Sequence, residues 1–393
     1  MRRVIGWILA GVGVASIAGS FILKGPVADS QIKYPDDLDE TPVYEGTVSI
    51  FLDPATKAPL AEPVVLPLKV ERNIRSVSAT SDEVVVQERI KLAAEGEGGF
   101  AGELNAQYVM DRKEAVNVAS DEAWAFTEAN AVDRADAYRL AFPFDTPPQP
   151  FTIYKNEVDA TYTAEPAGEG EVEGLTVINF KANQDEPLPI TPAYKAELDK
   201  LVPLPNELTL DELKPILKQA GLDIDAILPQ LLAPGALSGE DVEALVALAG
   251  QPVKLQYVYT FSGDESVEPT TGAAVKVSNV EETLWATPDP AATAALKGIF
   301  DKYPDLEVAQ TASAALEKVA AEPIKVFTNA YSQTDESVAD IASTVKDNKT
   351  LIDLVQNTLP MALLIGGIVL VVAGLLLALW PKKKVPAAPA PAV

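Results

Sequence analysis

Two apolar runs without a single charged residue, 4–23 and 359–380, bracket the chain. At about 1.5 Å of rise per helical residue, runs of this length match the roughly 30 Å hydrocarbon core of a bilayer. Both are expected to be transmembrane helices. Between them the pattern changes period. From 43 to 119 apolar and polar residues alternate, and 43–50, 66–74, 84–90 and 107–118 are expected strands, separated by Pro and Gly clusters as antiparallel strands are. Residues 121–132 carry a weaker helical pattern. The proline-interrupted aromatic run from Tyr138 to Tyr154 marks an edge or irregular segment, and strands follow at 159–164 and 174–181.

Spacing becomes helical from 191 to 250. Thr209-Leu210-Asp211-Glu212 has the capping-box form, with Gly221 suited to the helix C-terminus, and Ser238-Gly239-Glu240-Asp241 opens a helix that Gly250 closes. Pro229 is expected to bend or break the turn between them. Leu213, Ile216, Leu217, Ile224, Ile227, Leu228, Leu231 and Leu232 supply more aliphatic surface here than a free-standing excursion needs. Either they pack on the sheet as core or they cap an apolar site, and they are the candidate ligand-contacting residues. Strands resume at 253–261 and 273–286. Residues 266–277 read as a hairpin in which Pro269 fixes φ and Gly272 is available for positive φ; 108–118 has the same layout without the glycine. From 289 to 358 the pattern is helical again, alanine-rich first, with 322–357 running towards the last apolar run and Pro360 placed to kink the junction.

The flanks orient these segments. Arg2 and Arg3 precede the first apolar run, and Lys382, Lys383 and Lys384 follow the second, with Trp380 at the headgroup level. Two readings compete for 4–23. A cleaved signal peptide would use a small-x-small site such as Ser16-Ile17-Ala18; an uncleaved helix is favoured because Phe21, Ile22 and Leu23 extend the run. Both termini are then cytoplasmic, in a two-pass cell-membrane protein with its main domain outside. Gly11, Ala15 and Gly19 recur at i, i+4 and i+8, a flat face for a second helix, with Gly366, Gly367 and Gly374 its expected partners.

The expected order is a cytoplasmic N-terminus (1–3), a transmembrane helix (4–23), an extended acidic stalk (24–42) and a β-rich ectodomain (43–190). A helical insertion (191–250), the rest of the β domain (251–288), a helical membrane-proximal stalk (289–358), a transmembrane helix (359–380) and a cytoplasmic tail (381–393) complete it. The fold class is α+β: an antiparallel β-rich ectodomain with a helical insertion, flanked by two transmembrane helices.

Composition removes chemistry. The chain has no cysteine and no histidine, which excludes disulfides, imidazole-based triads and the commonest transition-metal ligand. The 25–358 segment holds all 57 acidic residues and 25 of the 31 basic ones, a net charge of -32, and repels nucleic acid. The acidic run Asp36, Asp37, Asp39, Glu40 lacks the spacing of a calcium loop and reads as a solvated linker. No phosphate loop, dinucleotide fingerprint, nucleophile elbow or metal cluster is found. The chain is expected to be non-enzymatic and to use no cofactor.

The order of several short segments resembles the actinobacterial porin PorA-like family. These are the Asp111-Arg112 turn, Phe142-Pro143-Phe144-Asp145-Thr146, Val172-Glu173-Gly174-Leu175-Thr176-Val177-Ile178-Asn179-Phe180, the Val267-Glu268-Pro269-Thr270-Thr271-Gly272 hairpin and Leu359-Pro360. Where the family usually has a glycine in the first of these turns, Glu114 stands near that place. The label implies a porin, yet two helices cannot enclose an aqueous channel, and no series of lipid-spanning alternating strands with aromatic girdles is present. The two-anchor architecture is similar to that of class B scavenger receptors, an analogy that implies an ectodomain carrying lipid. Three functions follow, in order of expectation: binding or transfer of a lipid or other apolar ligand; a structural or accessory subunit of an envelope complex, with an envelope protein or a second copy as partner; and an oligomeric channel.

Overall fold

The computed structural model describes residues 2–53, 59–219, 223–321 and 323–380, and the chain divides into two compact units, residues 34–343 and residues 1–33 with 344–393. Gly221 and the lysines at 382, 383 and 384 lie outside the described residues, as does the expected tail.

The larger unit is built on an antiparallel sheet. Its strands are β1 (Asp39–Glu40), β2 (Val43–Leu52), β3 (Pro59–Ala79), β4 (Glu83–Ala94), β5 (Ala101–Asp111), β6 (Trp124–Ala125), β7 (Thr127–Ala131), β8 (Phe151–Lys155), β9 (Ala160–Val172), β10 (Leu175–Pro189), β11 (Glu207–Leu208), β12 (Val253–Glu268), β13 (Ala273–Pro288) and β14 (Ile324–Gln333). The order runs β7-β6-β5-β4-β3-β2-β14-β13-β12-β10-β9-β8, with β1 on β3 and β11 on β12. The sheet curls into a half-barrel. Strand β4 shows why it has an inside and an outside: Val84, Val86 and Glu88 are buried, whereas Arg89 and Lys91 are exposed. Lys69 and Arg75 on β3 and Glu165 on β9 are likewise exposed. Charges on the outer face are the inverse of a lipid-facing barrel wall.

Three expectations are corrected. Residues 324–333 form β14, not part of a long helix; this strand joins the two halves of the sheet by pairing β2 on one side and β13 on the other. Its β-branched and aromatic residues, Val326, Phe327, Thr328 and Tyr331, fit a pleated surface. The helical pattern at 121–132 gives way to β6 and β7, because the β5 edge recruits Trp124 and Ala125, and Phe126 breaks the run at φ +68°. The expected stalk at 24–42 is not extended: a π-turn (Leu23–Val27) and helix α2 (Ala28–Gln31) carry the helix of the first apolar run onward, and Asp39 and Glu40 pair with β3.

A strap between β7 and β8 ties the two edges of the half-barrel together. Ala137 O accepts from the Asn117 backbone, and Tyr138 alternates with β8 by donating to Thr152 O and accepting from Tyr154 N. Arg134 is the rivet. It is 2% exposed; its Nε donates to Asn156 Oδ1, Nη1 to Gln107 O and Nη2 to Trp124 O, each at 2.9 Å. The guanidinium stacks 4.3 Å from the Tyr108 ring centre. Two of the segments that carried the family resemblance, 142–146 and 267–272, meet at this strap. Phe142 N donates to Gly272 O and Thr146 N to Pro269 O, while Gly272 takes φ +69° with its Cα against the Phe142 carbonyl. The other turn closes without glycine: Asp111 Oδ1 accepts from Lys113 N and Glu114 N at 2.8 Å, and Ala115 takes φ +54°. Arg112 then holds the Tyr34 and Thr80 carbonyls at 2.9 Å.

Helices complete this unit. Helix α3 (Pro192–Leu201), capped by Thr191, drops Tyr194 and Leu198 into the half-barrel core. Helices α4 (Leu210–Gln219), α5 (Ile224–Leu231) and α6 (Gly239–Ala249) form a second core with α7 (Pro290–Phe300) and α8 (Glu307–Ala321). The pairing of α7 and α8 with this core corrects the expected membrane-proximal stalk, because Ile299, Phe300, Ala312 and Leu316 are buried against the insertion. The capping box forms at Thr209 and Glu212. Pro229 sits inside α5 without breaking it.

In the smaller unit, α1 (Arg2–Ile22) and α10 (Leu359–Leu379) pack antiparallel. A Cβ at Gly13 would lie 2.5 Å from Gly367 O, and Gly367 in turn faces Ile17. The expected pairing face is therefore rotated: Gly11 and Gly19 have open space above them and Ala15 is exposed, while on α10 Gly367 and Gly374 are buried and Gly366 is not. Backbone proximity at Gly13 decides the contact. Helix α9 (Asp335–Asp353) continues through a second π-turn (Leu354–Thr358) into α10, with Pro360 at its first turn. Across this π-turn Leu359 N donates to Leu354 O, five residues back. Both apolar helices are long and apolar enough to cross a membrane, and their outer faces present large side chains such as Trp7, Phe21, Ile365 and Val369.

Candidate functional site

Seven of the eight candidate ligand residues converge. Leu213, Ile216 and Leu217 from α4, with Ile224, Ile227, Leu228 and Leu231 from α5, wall a cavity of about 110 Å³. Helix α6 adds Leu245, and α7 and α8 close it with Leu296, Phe300, Ala312 and Leu316. Leu232, at the C-cap of α5, is 38% exposed and stays outside. Gln251 and Thr293 are the polar side chains among the described lining residues. A cavity lined this way offers mainly dispersion contacts, so it favours an apolar guest. The cavity lies between the helices and the ends of three strands, with Val253 of β12, Pro288 of β13 and Ile324 of β14 in its wall. At the start of α6, Ser238 caps the helix by accepting from Asp241 N, and the Asp241 carboxylate accepts from Ser238 Oγ and, at 2.6 Å, from Lys302 Nζ and Tyr303 OH. These donors hold the Asp241 carboxyl down at about 2.

The half-barrel holds a second cavity, of about 130 Å³, and its walls differ in kind. Val70, Leu92, Phe261 and Phe327 are apolar; Arg72, Arg139, Lys155, Glu157, Glu265 and Glu282 are charged. Beneath them Glu88, 2% exposed, accepts from Arg72 Nε and Tyr108 OH at 2.5 Å, with Arg139 Nη2 3.9 Å away. Burial pushes the Glu88 carboxyl up, but Arg72 and Arg139 outweigh it and bring it to about 2. Lys155 Nζ lies 2.8 Å from Glu282 and 3.6 Å from Glu157, above the Phe261 ring. Burial drives Tyr108 up to about 12, and Tyr44, Tyr162, Tyr194 and Tyr331 upwards, so these hydroxyls are neutral donors at physiological pH.

Sequence reasoning did not single out this polar interior. The signal was phase. Arg72 follows Leu66, Leu68 and Val70 at period two, and Glu88 follows Val84 and Val86, so each charge sits on the buried face of its strand. A charge in phase with an apolar stripe is either paired inside or destabilising.

A curled antiparallel half-barrel with a helical layer, in a chain that also carries two apolar helices of spanning length, describes a membrane-associated protein of the cell envelope. The model of the family described as porin PorA matches residues 5–376, and the chain belongs to that family. No curated protein matches the chain.

Proposed function

We propose that this is a non-enzymatic, two-pass envelope protein whose extracytoplasmic domain holds a lipid or other apolar ligand, with the acyl portion in the cavity among α4, α5, α7 and α8. The observation that carries this reading is the cavity itself: about 110 Å³ enclosed almost entirely by aliphatic side chains. A second core without such a void would be more stable, because unfilled volume forfeits contacts. The antiparallel packing of α1 on α10 supports a topology with both termini on the cytoplasmic side, as do Arg2, Arg3 and the lysines at 382–384. Titrating the full chain in amphipol with the fluorescent fatty acid cis-parinarate tests the reading. Saturable binding is expected, weakened about tenfold by Ala312→Leu, which fills the cavity. Absence of saturable binding overturns it.

The family description favours a second reading, an oligomeric channel. The charged outer face of the half-barrel means that such a channel would form from assembled copies through α1 and α10, not from one sheet. Planar-bilayer conductance of the purified chain separates the two readings.

A further inference from the structure

The half-barrel cavity carries an inference independent of the helical one. Its charges lean negative: Arg72, Arg139 and Lys155 face Glu157, Glu265 and Glu282, and Glu88 beneath them is a fourth carboxylate. An anionic guest would add to that excess, which low-polarity surroundings penalise. The hydrogen bonds do not balance. Arg139 Nε has no acceptor, and Glu157 Oε2 and Asn329 Oδ1 have no donor, although all three atoms are buried and all three residues line this space. Glu157 and Asn329 are each 7% exposed. Such orphaned groups are rare in a folded interior and call for a partner.

One spare donor and two spare acceptors are the complement of a pair of hydroxyl groups. A hydroxyl both accepts and donates, whereas a carboxylate only accepts and an ammonium only donates. Phe261 and Phe327 border the same cavity and offer apolar faces to the C–H surface of such a group. We infer that the half-barrel interior binds a neutral group with at least two hydroxyls, the glyceryl or sugar end of a lipid or a free polyol. One hydroxyl accepts from Arg139 Nε and donates to Glu157 Oε2, and the other donates to Asn329 Oδ1.

The test uses the full chain with Ala312→Leu, so that acyl binding in the helical cavity is weakened about tenfold, in a micelle whose detergent lacks hydroxyls. Calorimetry at neutral pH compares 1-monolauroylglycerol, laurate, glucose and glycerol. Saturable binding of a hydroxylated probe is expected, with laurate about tenfold weaker or worse. Tight binding by monolauroylglycerol alone assigns the group to a lipid, and equal binding by glucose or glycerol to a free polyol. Asn329→Leu is expected to weaken that binding about tenfold while leaving Tm unchanged or raised, since it removes an unsatisfied buried oxygen. Asn329→Val serves if the larger side chain prevents folding. Laurate binding as tightly as the hydroxylated probes, no binding by any of them, or unchanged affinity in the folded Asn329 variant overturns the inference.

Discussion

The two cavities of the larger unit sit under different layers and obey different physics. The helical one is held open by aliphatic side chains with no charged group among its described lining residues; the half-barrel one is walled by aromatic rings and three ion pairs' worth of charge. The contrast teaches what each layer can be asked to do. The helical layer is cohesive through area alone, so its content is set by size and apolarity. The half-barrel is cohesive through a polar network in which removing one member strands the others, so its content is set by hydrogen-bond complementarity.

The contrast breaks most visibly at Glu88. Glu88→Leu leaves Arg72 and Tyr108 without their carboxylate and Arg139 without its nearby counter-charge, and loss of one partner of a buried pair is expected to cost about 3–5 kcal/mol by denaturant unfolding. A small effect would mean that the network is solvated and the two cavities are alike. Leu213→Ala in the helical layer should cost about 2 kcal/mol, the low end for a buried leucine, because this side chain already borders a void and has fewer contacts to lose. A larger loss would mean that the cavity collapses in solution.

Acid should separate the regions further. Glu88 is held at about 2 in the folded chain, below its ordinary carboxylate value. Its contribution is complete above the unfolded value and is lost as pH falls from there through about 2. Amide hydrogen exchange across that window is expected to show β3, β4 and β5 losing protection while α4 and α5 hold theirs. The smallest effect is expected at Asp241→Asn, which keeps an oxygen to accept from Ser238 Oγ and removes the charge facing Lys302. It should loosen exchange protection in α6 and leave the sheet unmoved.

Much of this frame was legible in the sequence. The bracketing apolar runs, the period-two strands and the Pro269–Gly272 turn all rest on local rules, and local rules suffice where one element's own residues decide its conformation. They failed where a distant partner decides. Strand β14 lies in a stretch bounded by helices and takes its role from pairing β2 and β13, far away in sequence. Helices α7 and α8 looked like a stalk because their alanines, Ala309, Ala312 and Ala315, make a small-residue face whose use depends on the insertion packed against it. The aliphatic residues of α4 and α5 could be named in advance; that they enclose space with α7, α8 and the ends of β12, β13 and β14 could not. Arg72 and Glu88 escaped notice for a related reason. A charge on a strand reads as surface until its phase is compared with its neighbours and a partner strand supplies the counter-charge.

The central claim is that the helical cavity is a ligand site and not a packing defect. Native mass spectrometry of the full chain released from detergent, beside the Ala312→Leu variant, tests it most directly. The account predicts that the wild-type chain carries a bound apolar molecule that the variant lacks, and that the delipidated variant is the more stable form by roughly 1–2 kcal/mol. A wild-type chain that flies at its bare mass, or a variant that retains the same bound molecule, would contradict it.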